Sequence, residues 1–133
     1  MHDIKNQADI KLLLDTFHTK VKQDDIIGFI FNDIIGASWD NHLPMMYKFW
    51  DMALLSKPGY VGHPTRKHTN IDEKIPLKKE HFDRWVYLWN ETIDSLFRGK
   101  IATQASDKAM IMAYLINKEV KTERKGKPDP GSS

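Results

Sequence analysis

Apolar residues recur along this chain at helical spacing, and no stretch alternates apolar and polar positions as a strand would. Asn6 followed by Asp9 has the form of an Asx cap with an acidic residue in the first turn, and Ile10, Leu13, Leu14, Phe17 and Val21 then carry a helix to about residue 22. His18 falls at the border of that stripe, where it is either a boundary histidine with one ring nitrogen in water or a residue with a role inside. Asp24 and Asp25 cap a second, short helix through Ile26, Ile27, Phe29, Ile30, Phe31, Ile34 and Ile35. It is apolar nearly all round and so expected to be buried, with Gly36 ending it. Ser38 caps a third helix running to about Ser56, with Trp39, His42, Leu43, Met46, Phe49, Trp50 and Ala53 on one side. Pro44, in its second turn, removes a backbone donor and should bend it.

Lys57-Pro58-Gly59 and Gly62-His63-Pro64 mark a loop, and His68 follows in a short segment bounded by Pro64 and Pro76. Pro76 suits a helix start, after which Phe82, Trp85, Trp89, Ile93, Leu96 and Phe97 form the longest aromatic stripe, closed by Gly99 as an expected C-cap. A last helix from about Ile101 carries Ala105, Ala109, Met112, Ile116 and Val120, with small residues first, which permits close packing. The pattern predicts an all-α protein with two longer helices from each half as its packed layers.

Length changes that picture little, since 133 residues suit one domain. Charge changes it more. Lys121, Arg124, Lys125 and Lys127 against Glu123 and Asp129 give the C-terminal segment +2, the whole net charge, so the helical body is balanced and offers no basic face for nucleic acid. With no cysteine, neither a disulfide framework nor a thiolate site is available. The N-terminus lacks a basic segment leading into an apolar core, and no apolar run is long enough to span a membrane, so a cytoplasmic location is expected. Domain boundaries are expected at 1–122 for the folded body and 123–133 for a disordered tail.

His42 interrupts an otherwise apolar face. It is either a hydrogen-bonded core histidine or one of two imidazoles facing a large, flat apolar ligand, with Met46, Phe49 and Trp50 lining a slot. His68 supplies the second imidazole, and neutral imidazole is a good ligand for iron.

The run His42-Leu43-Pro44-Met45-Met46 leading into Phe49-Trp50, the segment Gly59-Tyr60-x-Gly62-x-Pro64-x-x-x-His68, and His81-Phe82-x-Arg84-Trp85 together resemble the group III truncated haemoglobins over roughly residues 7 to 120. The resemblance implies a globin-like two-over-two helical sandwich and a haem b cofactor, its iron held by His68 on the proximal side. It places His42, Trp85 and His18 around the distal position. His18 stands where the family usually has a tyrosine; a phenol donates a hydrogen bond, whereas an imidazole can donate, accept, take a proton or bind the metal itself. Met46, Phe49, Trp50 and Phe31 are expected to touch the porphyrin, and Arg66 and Lys67 either meet its propionates or form a solvated pair. His63, in a turn before proline, is expected to be an exposed loop residue, and His81, beside the buried stripe, a cap or surface residue rather than a ligand.

The function so implied is binding of oxygen or another diatomic ligand such as nitric oxide, or peroxide chemistry, with a reductase as an unidentified partner. Two alternatives stand beside it: a six-coordinate haem protein for electron transfer or redox sensing, with His42 or His18 as internal ligand, and a cofactor-free helical interaction module.

Overall fold

The computed structural model describes residues 1–35, 38–56 and 77–126, with side chains outside 33–42 and 119–126. The described residues are helical, in the order α1 (Gln7–Lys22), a π-helical turn (Ile30–Ile35), α2 (Ser38–Leu55), α3 (Lys79–Leu96) and α4 (Lys100–Gly126). Among the described residues no helix is long and apolar enough to cross a membrane.

Asn6 begins α1 as its spacing predicts, its Oδ1 accepting from the Asp9 amide at 3.0 Å. Ile10, Leu13, Leu14, Phe17 and Val21 are all buried on one face. The next segment departs from expectation. Asp24 does cap it, accepting from the amides of Ile26 and Ile27 at 3.0 Å each, but a π-helical turn follows in place of a regular helix. Ile27 and Ile30 are buried, whereas Ile26 and Phe29 are exposed. An apolar run without a period carries no signal for which side faces inward. Gly28 lets the turn close on α1: a Cβ there would lie 3.0 Å from the Lys22 carbonyl oxygen and 3.2 Å from that of Val21.

The α1 and α2 helices form one layer and α3 and α4 the other; α1 lies against both α2 and α3, and α2 also meets α4. This is the expected two-over-two sandwich. Ala102, Ala105, Ala109 and Ala113 are buried, so α4 seats against α3 through small side chains. The Trp89 indole N–H donates to the Ala105 carbonyl at 3.1 Å, and Ser106 donates to Asn90 Oδ1 at 2.6 Å.

Gly99 is not the C-cap of α3. Phe97 holds that place in an extended conformation, and Gly99 sits at φ +146°, where a side chain would be strained. The cause lies far off in sequence. Asp3 reaches into the α3–α4 corner and accepts from the amides of Ile101 (2.9 Å) and Ala102 (2.8 Å), capping α4. A Cβ on Gly99 would meet its carboxyl group at 2.5–2.7 Å. Burial alone would raise the Asp3 pKa, yet it lies below the usual carboxylate value because Ile101, Ala102 and Ile4 all donate to it.

Candidate functional site

Where α1, α2 and α3 meet, the core is a column of aromatic rings. Trp50 of α2 stacks on Trp89 of α3 at 4.7 Å, and Trp85, one turn earlier on α3, lies parallel to Trp89 at 6.0 Å. Phe17 of α1 presents its edge to both indoles, at 5.5 Å from Trp85 and 5.0 Å from Trp89. Helical spacing produces this arrangement: positions 85 and 89 share a face, and Phe17 is the α1 residue level with them.

His18 follows Phe17 and is only 4% exposed. Of the two readings the sequence left open, the border residue with a wet nitrogen does not hold: the packing of α1 against α2, α3 and the π-helical turn draws the ring inside, 5.7 Å from Phe17. His18 and Trp85 thus flank one phenyl ring from two helices. Both side chains carry an N–H and sit in largely apolar surroundings.

The other residues singled out from sequence divide by position. Met46 and Phe49 of α2 and Phe31 of the π-helical turn are half-buried and packed against the core. Trp50 is 1% exposed, stacked on Trp89 and meeting Phe49 edge-on at 5.3 Å; among the described residues its indole N–H has no acceptor. His42 lies on α2, its side chain outside the described residues, and His63, Arg66, Lys67 and His68 lie outside them altogether. His81 caps α3: its Nδ1 accepts from the Lys78 amide at 3.0 Å, and its ring lies 6.1 Å from Phe29.

Two polar links brace this region without having been singled out from sequence. Arg84, inside the His81-to-Trp85 motif, grips Asp24 Oδ1 through Nε at 2.9 Å and Nη2 at 2.7 Å, tying the end of α1 to α3. Burial of the Asp24 carboxyl opposes its ionisation, but the guanidinium and the two amides it caps bring its pKa below the ordinary value. Tyr47 of α2 donates to Asp15 of α1, and burial, followed by the bond to the carboxylate, raises the phenol pKa. Asp15 and Tyr47 are 32 residues apart, and no local pattern joins them.

No protein-family model matches the chain. A group 3 truncated haemoglobin of Campylobacter jejuni is 31% identical over 111 residues, which span 81% of this chain and 85% of that protein. The crystal structure of a group III truncated haemoglobin from Campylobacter jejuni matches this fold with a TM-score of 0.79 at 28% identity, over 90% of this chain and 95% of that one. The architecture is therefore the helical globin sandwich that the motifs pointed to.

Proposed function

The chain belongs to the group III truncated haemoglobins, and on that premise we propose that it is a haem protein binding oxygen or another small diatomic ligand. The observation that carries this reading is the placing of His18 and Trp85 against the same Phe17 ring, two nitrogen donors from two helices in an apolar setting. Haem b, when bound, supplies an iron whose sixth position takes the ligand. His68 would hold the iron on the proximal side. His42, His18 and Trp85 would orient the ligand and keep water from it, and Met46, Phe49, Trp50 and Phe31 would supply apolar surface to the porphyrin. Nitric oxide or peroxide chemistry, served by a reductase, belongs to the same reading, since imidazoles can move protons at a bound ligand.

A second reading keeps the haem and changes its use. The burial of His18 in this part of the core favours it: either His18 or His42 would close onto the iron, giving electron transfer or redox sensing.

Titrating the purified chain with haem and recording ferric and dithionite-reduced spectra tests the proposal. A saturable one-to-one Soret band, disturbed by His68→Ala, is the expected result. An open sixth site in the reduced form favours ligand binding and a histidine-held one the second reading. No stoichiometric haem binding would overturn both.

A further inference from the structure

Three of the four tryptophans stand in one column, and the two ends of that column differ in chemistry. Trp85, at one end, is the residue proposed above to face the haem ligand. Trp89 lies 6.0 Å from it with its plane turned by 5°, and Trp50 overlies Trp89 at 4.7 Å and 25°, so three π systems face one another in series from α3 to α2. Stacking of this kind also serves packing. The indole N–H groups add something that packing does not ask for. Loss of one electron makes an indole N–H acidic, and a base beside it would take the proton and pin the charge. Trp89 donates to the Ala105 carbonyl, which is a neutral acceptor and no base, and Trp50, 1% exposed, has no acceptor among the described residues. A charge placed on either ring keeps its proton and stays mobile.

The other end of the column does have a base. Tyr47 precedes Trp50 by three residues on α2, which sets their Cβ atoms about 5–6 Å apart, and helical side chains lean back over the preceding turn, so Trp50 leans toward Tyr47. Tyr47 is half-buried, and its hydroxyl donates to the Asp15 carboxylate of α1. A phenol gives up an electron more readily when its proton has somewhere to go, and here the proton moves along an existing bond. The Tyr47 phenol and the Asp15 carboxylate become a neutral phenoxyl radical and a carboxylic acid, with one electron released.

We propose that Tyr47, Trp50, Trp89 and Trp85 form an electron-transfer path from the α1–α2 surface to the haem, an inference that rests on the haem reading above. Reduction of hydrogen peroxide to two waters takes two electrons and two protons. The protons come from solvent and the electrons from the haem; the path returns one electron from Tyr47, where an external one-electron donor can refill it without entering the pocket. Mixing the ferric, haem-loaded chain with one equivalent of hydrogen peroxide, freezing it and recording electron paramagnetic resonance tests this. A tyrosyl signal is expected, narrowed in protein that carries ring-deuterated tyrosine. Tyr47→Phe and Asp15→Asn should each replace it by a tryptophanyl signal, and Trp89→Phe should abolish the radical at Tyr47. Tyr87→Phe and Tyr114→Phe, both exposed and off the path, should change nothing. Peptide mass spectrometry should find peroxide-dependent oxidation at Tyr47 and Trp50 in the native chain. An unshifted Soret band and far-UV circular dichroism show that each variant keeps its haem and its fold. A chain that takes up no haem overturns the haem reading and this path together. A chain that takes up haem overturns the path alone if peroxide yields no protein radical, if the radical survives Tyr47→Phe unchanged, or if it is lost equally with Tyr87→Phe or Tyr114→Phe.

Discussion

At position 18 the difference between tyrosine and histidine is a difference in what the side chain's polar atom can do. A neutral phenol is a good donor and binds iron only once it has lost its proton, whereas a neutral imidazole can serve either way. If His18 faces the bound ligand as proposed, His18→Tyr should give the haem-loaded protein a firmer hydrogen bond to oxygen and slow its dissociation about tenfold, the worth of one such bond. Stopped-flow displacement measures it, and an unchanged rate would remove His18 from the distal site. Trp89 poses a structural question instead. It is fully buried between Trp50, Trp85 and Phe17, and donates to the Ala105 carbonyl. Trp89→Phe would lose that bond and part of the stack and should destabilise the fold by about 2 kcal/mol in urea unfolding. A loss of a few tenths would mean that the column relaxes around the smaller ring.

The corner between α3 and α4 shows how elements are held by residues far apart in the chain. Asp3 replaces the side-chain cap that α4 lacks within its own sequence, and the room it needs is supplied by the missing side chain of Gly99. Asp3→Ala should therefore cost about 1 kcal/mol, the usual worth of an N-cap. Gly99→Ala should cost about 2 kcal/mol, from its positive φ and the collision with Asp3. Because part of the second cost is that collision, the double substitution should be milder than the sum of the two, and strict additivity in the cycle would deny the contact. None of this was legible in the sequence, where Gly99 looked like a plain helix stop and Asp3 carried no signal of its own. The four long helices were legible, because each has one buried stripe of period 3.6. The π-helical turn was not, since Ile26 to Ile35 has too many apolar residues to show a period. At the site, motif order identified the helices that carry His18, His42 and Trp85, but the depth of His18 depends on packing from three other elements.

For the whole molecule, the Asp24–Arg84 pair is the polar link between the layers whose contribution can be read by pH, because it ties the residue just beyond α1 to the second turn of α3 with two bonds to one nearly buried carboxylate oxygen. The Asp24 pKa is depressed in the fold and returns to about 3.9 in the unfolded chain. Above that value both states are ionised and the pair contributes its full stability. As pH falls below it the unfolded chain takes up a proton first, so the contribution drains away and is gone once pH has passed the folded value. Arg84→Leu removes the guanidinium, leaving Asp24 with only its capping amides to oppose the burial that raises its pKa. The stability difference between native and variant should therefore be constant from pH 7 to pH 5 and shrink progressively below about pH 4. Urea unfolding at pH 7, 5, 4 and 3 measures it, with Lys79→Leu as a control, since the Lys79–Asp83 pair is exposed and should contribute little at any pH. A difference as large at pH 3 as at pH 7 would mean that Arg84 acts through its aliphatic packing and its position over the Tyr87 ring, 5.0 Å away, and not through its charge.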